Sequence, residues 1–167
     1  MAAPLRWIGQ GAAYAVFMGV VGVFSTAPSW SPLPADRALL RVSFSHAGDR
    51  VEPCKRFTPE EIARMSPNMR RAQNCARERV ALRLQVTVNG ELLMDRELAP
   101  AGLHGDGAAA VYASFPLSPG AADIEARLRD SRRQEGFDHE AAFQIEIAPG
   151  ESRVLSFRAQ DGGFRVL

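Results

Sequence analysis

The sequence predicts an all-β domain, an antiparallel sandwich with one short helical excursion, carried on a single N-terminal transmembrane helix. Three observations lead there. Residues 8–25 form an uncharged apolar run, and from residue 38 onward the hydrophobic period is two. The only two cysteines, Cys54 and Cys75, bracket a proline-started helical stretch inside that β pattern.

At 167 residues the chain has room for one ordinary domain plus an appendage. Its formal net charge of +1 gives no bulk attraction for nucleic acid or acidic membranes. All of its 20 basic residues except Lys55 are arginine.

The apolar run "IGQGAAYAVFMGVVGVFS" approaches the ~20 residues that cross a bilayer core. Arg6 precedes it and no basic residue follows before Arg37. That asymmetry predicts residues 1–7 in the cytoplasm, 8–25 as an uncleaved signal-anchor and the remainder in the periplasm of a bacterial inner-membrane protein. A cleaved signal peptide is the rival reading, with small residues at Ser25 and Ala27 but Pro28 just past the cut. Gly11, Ala15, Gly19 and Gly22 follow one another at spacings of four, four and three, a small-residue face that suits close helix packing in lipid. Residues 26–37, rich in proline and serine, predict a semi-rigid spacer with Trp30 at the lipid interface.

The periplasmic domain, residues 38–167, is justified strand by strand. "ALLRVSFSH" alternates Leu40, Val42 and Phe44 against Arg41, Ser43 and Ser45. "VALRLQVTV" does the same from Val80 to Val88 and runs into Asn89-Gly90, a strong hairpin signal, with "ELLMDREL" returning. "AAVYASFPL" ends at the turn "SPG", and "ADIEARLRD" sets Ile124, Ala126 and Leu128 against charged partners. "AAFQIEIAPGESRVLSFRA" reads as two strands around Pro149-Gly150, and "GGFRVL" as a last short one. Seven or eight strands with turn residues between them describe a sandwich.

The cysteine stretch allows three readings. "TPEEIARM" predicts a helix with Thr58 as N-cap, Pro59 first and Glu61 closing a capping box, broken at Ser66-Pro67. A Cys54–Cys75 disulfide is the plainest, in an oxidising compartment, and in the chain-entropy model such a loop is stabilised by about 3 kcal/mol. A thiol redox centre usually has its cysteines two residues apart, unlike these. A soft-metal site would draw on Cys54, Met65, Met69 and Cys75, with His46 nearby in sequence.

No nucleophile elbow, phosphate loop, dinucleotide fingerprint or metal-binding histidine spacing is present, so the chain reads as non-enzymatic and without a cofactor. His46 reads as a strand-end residue, His104 as part of a glycine-rich loop and His139 as a residue among solvated neighbours. Arginines gather at Arg64, Arg70, Arg71, Arg77, Arg79 and Arg83, and again at Arg127, Arg129, Arg132 and Arg133. The ordinary reading is a solvated face. The functional one is a patch, Arg64, Arg70, Arg71, Arg77 and Arg79, that docks an acidic partner domain.

The runs "SFSHAGDR", "TPEEIARMSPNMR", "LSPGAADIEARLRD" and "GFDHE" resemble those of uncharacterised membrane-anchored periplasmic proteins of proteobacteria that occur beside components of respiratory oxidases. The resemblance covers nearly the whole chain. It implies an accessory or assembly role at an integral membrane complex of the respiratory chain and carries over no catalytic residue. The "LSPG" turn and its strand are also similar to those of immunoglobulin-like and fibronectin-type domains, which implies an immunoglobulin-like form of the sandwich. The alternative function is a periplasmic copper or thiol assembly factor using the two cysteines and nearby methionines.

Overall fold

The computed structural model describes residues 3–27, 33–34 and 36–167. The chain divides into two compact units, Met1–Pro34 and Ala35–Leu167.

The first unit is the helix α1 (Ala3–Thr26). Pro4 falls in its first turn, where a missing N–H removes no helical hydrogen bond. At its end Thr26 Oγ1 donates to the carbonyl of Gly22 at 3.0 Å. The segment Arg6–Thr26 has a mean hydropathy of 1.5 and is long and apolar enough to cross a membrane. Gly11, Ala15, Gly19 and Gly22 all fall within α1, inside about 80° of one another around its axis. A methyl group added at Gly11, Gly19 or Gly22 would meet nothing within 4 Å. Half of the spacer expected over 26–37, Trp30 included, lies outside the described residues, and Thr26 belongs to the helix.

The second unit is built of strands. In chain order they are β1 (Ala38–His46), β2 (Lys55–Arg56), β3 (Gln73–Asn74), β4 (Leu82–Val88), β5 (Glu91–Leu98), β6 (Ala109–Leu117), β7 (Gly120–Arg129), β8 (His139–Ile147), β9 (Ser152–Arg158) and β10 (Gly163–Val166). The helix α2 (Pro59–Arg64) stands between β2 and β3. One sheet runs β10-β9-β1-β6 and a second β5-β4-β7-β8, while β2 and β3 pair only with each other.

The period of two does what it should. Alternate residues of the central strands are fully buried: Leu40 and Val42 on β1, Leu82, Leu84 and Val86 on β4, Ile124, Ala126 and Leu128 on β7, Leu155 on β9. They belong to one hydrophobic cluster drawn from both sheets. Each large aliphatic side chain buried this way contributes about 1.5–3 kcal/mol. Val80, expected at the start of the second strand, precedes β4 and donates its N–H to the Asp49 carbonyl at 2.9 Å.

The expectation of a wholly antiparallel arrangement needs one correction. β1 pairs antiparallel with β6, but on its other side it pairs parallel with β9, Leu39 opposite Ser152 through Val42 opposite Leu155. The turn at Pro149-Gly150 carries the chain from β8 in one sheet to β9 in the other, so the two strands around it are not hydrogen-bonded partners.

Register and connections give the domain two unlike poles. The chain enters β1 at Ala38, and the connections at that near pole are short: residues 89–90, 118–119 and 148–151. At the far pole, where β1 ends at His46, the connections are residues 47–81, 99–108, 130–138 and 159–162. Loops on a rigid scaffold are where binding residues concentrate, and here the long ones share one end.

Candidate functional site

The far pole is assembled on the ends of β1, β4 and β7. Beyond His46 the chain crosses the start of β4 so closely that a Cβ on Gly48 would lie 2.6 Å from the Val80 carbonyl oxygen, which only a glycine allows. Residues Arg50 and Arg79 then form an isolated antiparallel bridge. Val51 N–H donates to the Glu78 carbonyl at 3.0 Å, and the Arg50 guanidinium donates to the Ala76 carbonyl.

Past this neck the sulfurs of Cys54 and Cys75 are joined in a disulfide. Directly behind it β2 and β3 pair Lys55 with Asn74 and Arg56 with Gln73. The segment they close carries α2, whose capping box forms as the sequence predicts. Glu61 N–H donates to Thr58 Oγ1 at 3.2 Å, and Thr58 N–H donates to Glu61 Oε2 at 2.8 Å. Pro67–Met69 follow as a single turn of 3-10 helix. The result is a lobe, residues 54–77, with six cations and two carboxylates, net +4 in a chain of net +1.

The arginines singled out by sequence divide sharply. Arg64, Arg71 and Arg77 are exposed and make no ion pair among the described residues, and Arg70 only donates from Nε to the Met65 carbonyl at 3.3 Å. Arg79 is a strut instead. It donates from Nη1 to the Gly48 carbonyl at 2.8 Å and from Nε to the Asp106 carbonyl at 3.2 Å, tying β1's exit to the loop 99–108. Arg83 is held by both oxygens of Asp95, at 3.1 and 3.0 Å, and that hydrogen bonding first of all holds the Asp95 carboxyl below its ordinary range. Arg127 pairs with Glu125 and Glu140, and Arg133 with Asp138 at 3.0 Å. Of the lobe's six cations only Lys55 makes an ion pair among the described residues, with Glu61.

The soft-metal alternative needs free sulfur. With Cys54 and Cys75 bonded to each other neither offers a thiolate, and Met69 points outward at 64% exposure. Among the described residues no group of three or more His, Cys, Asp or Glu is arranged to hold a metal ion.

What the sequence did not reveal is a polar cluster at the lobe's base. His46 at the end of β1 and His139 at the start of β8 both reach Asp130, just past β7. Their Nε2 atoms lie 2.7 and 3.1 Å from the same oxygen, Asp130 Oδ2. A carboxylate only accepts, so both rings present Nε2–H to it. Each imidazole also meets the edge or face of the buried Phe157 ring at 4.9 Å between centroids. Asp130 is fixed in turn: its carbonyl accepts the Asp49 N–H at 2.8 Å, and its N–H donates to Asp138 Oδ2 at 3.0 Å. Burial acts against the charge of Asp138, but hydrogen bonds from the Ser131 hydroxyl and from the N–H groups of Asp130 and Ser131, with Arg133 alongside, outweigh it and lower its pKa. The cluster thus clamps β1, β7 and β8 from two different sheets beneath the lobe.

Between lobe and cluster lies an open depression of about 360 Å³ bordered by Ala47, Asp49, Arg50, Cys54 and Arg132. His104 sits apart, in the loop 99–108 beside Leu103, which is fully exposed. No protein-family model, no curated protein and no solved structure matches this chain.

Proposed function

We propose that this chain is a non-enzymatic accessory or assembly subunit of a larger integral membrane complex of the respiratory oxidase type. In this reading α1 anchors it in the bacterial inner membrane with the N-terminus in the cytoplasm. The two-sheet domain, an immunoglobulin-like sandwich, works in the periplasm. The observation that carries the reading is the polarity of that domain. The chain enters the domain at one pole, and the long connections and the disulfide-closed lobe with Arg64, Arg70, Arg71 and Arg77 stand at the other.

Each part has a physical role. An anchored domain meets its partner at high effective concentration, so a weak contact suffices. Arginine's planar fork pairs with carboxylates on the partner, which gives register and orientation. The stripe Gly11, Ala15, Gly19 and Gly22 allows a second helix to approach closely in lipid. A disulfide in the domain accords with an oxidising compartment.

The test is capture of the tagged full-length chain from its native membrane in mild detergent. The expected result is a retained membrane complex, with Gly19→Leu and the pair Arg70→Glu, Arg71→Glu each lowering retention by about tenfold or more. Recovery of a lone monomer, or undiminished retention by both variants, overturns the proposal.

A further inference from the structure

The lobe and the two-sheet domain differ in what holds them. None of residues 54–75 is buried; the best covered, Cys54, Phe57, Glu61, Ile62, Met65 and Cys75, are half-buried. None belongs to the hydrophobic core that joins the sheets. Every hydrogen bond, ion pair or ring contact these residues make among the described residues ends inside the same segment. Phe57 N–H donates to Ala72, Ile62 N–H to Thr58, Met65 N–H to Ile62, Met69 N–H to Ser66, and Lys55 lies against Glu61 and the Phe57 ring. A module of this size cannot bury enough apolar surface to fold unaided, and small modules rely on cross-links for that reason. Here the cross-link sits at the neck, where it closes both chain segments at once. The hydrophobic core that joins the two sheets contains neither cysteine.

We infer that the Cys54–Cys75 bond is a redox switch for the lobe: reduction by a dithiol unfolds residues 54–75 while the two-sheet domain stays folded, and the reverse exchange with a reactive disulfide, which leaves as its dithiol, restores the basic surface. Cys54 borders the open depression and both cysteines are partly exposed, so a dithiol reductant has access. The first thiolate of the dithiol attacks one sulfur, breaks the S–S bond and leaves a mixed disulfide. Its second thiol resolves that bond. Two electrons and two protons pass to the protein as the thiols of Cys54 and Cys75, and the reductant leaves as its own disulfide. Because five of the six lobe cations, Arg64, Arg70 and Arg71 among them, lie between the two cysteines, the surface lost is part of the one that the function proposed above assigns to docking, and the switch's biological role rests on that reading.

The test is hydrogen exchange, read by mass spectrometry on the full-length chain in detergent micelles, oxidised and after treatment with tris(2-carboxyethyl)phosphine. The expected result is exchange at least about tenfold faster for peptides holding the amides of Phe57, Ile62, Met65 and Met69, with β1, β4 and β7 unchanged. The variant Cys54→Ser, Cys75→Ser should give the reduced pattern without reductant. Protection of the lobe that survives reduction overturns the switch, as does loss of protection by both sheets together. No partner enters the measurement, so its failure would concern the switch alone and leave the docking proposal to its own test.

Discussion

Asp130 accepts two imidazole N–H groups on a single oxygen. His46 and Asp130 are each under a fifth exposed, so water compensates poorly for a lost partner. Asp130→Ala should therefore cost about 1–3 kcal/mol, the usual penalty for stranded donors, and Asp130→Asn clearly less, since an amide oxygen still accepts. Urea midpoints of the two variants check this, and equal midpoints would show that the rings find other partners. The cluster was invisible in the sequence for a geometric reason. Asp130 and His139 stand near each other in the chain and the β7–β8 register brings them together, Leu128 opposite His139. His46 is 84 residues away from Asp130, on the other sheet, and reaches it only because strand ends from two layers meet at one pole. No spacing rule within a single strand contains that information.

At the scale of elements, local chemistry was largely sufficient. β1, β5 and β6 begin and end where alternation and turn residues place them, and α2 carries the capping box that "TPEE" announces. The Asn89-Gly90 hairpin joins β4 to β5 with both residues at positive φ, 50° and 80°. Those angles match the twist of the flanking strands in a two-residue turn. A β-branched residue resists them, so Gly90→Val should destabilise by about 1–3 kcal/mol, visible as a lower urea midpoint with an unchanged slope. An unaltered midpoint would mean that the turn relaxes at no cost. What alternation could not supply was sheet order. The stretches of β8 and β9 look like a hairpin when read along the chain, yet the turn between them changes sheets. The arginine pattern was ambiguous for a similar reason. Whether Arg79 or Arg83 is free depends on the carbonyls and carboxylates that other elements bring, and sequence gives only their number.

For the whole molecule the distribution of charge matters more than its sum. Of the six lobe cations only Lys55 makes an ion pair among the described residues, with Glu61, while on the two-sheet domain Asp95 is engaged by Arg83 and Asp138 by Ser131, two backbone N–H groups and Arg133. Both carboxyls have lowered pKa values in the folded chain. The folded state thus binds their protons less readily than the unfolded one. The stability they supply is complete above the ordinary aspartate value near pH 4 and drains away as the pH falls below it, through the lowered folded values. Urea midpoints measured from pH 6 down to pH 2 should therefore fall on the acid side, and Asp138→Asn should flatten that fall. A variant as acid-sensitive as the parent would assign the loss to other groups.

The parallel ladder between β1 and β9 bears on the order in which the domain is completed. β1 is the first strand of the domain to leave a ribosome, yet the residues that cover its second edge, Ser152 to Leu155, follow more than a hundred residues later. Until they emerge, the earliest strand keeps a free row of backbone donors and acceptors, the kind of edge that recruits foreign strands. Closure across so long a stretch is also entropically slow. A chain shortened by those residues is thus more than a smaller version of this protein: it is one whose opening strand has no permanent neighbour on one side.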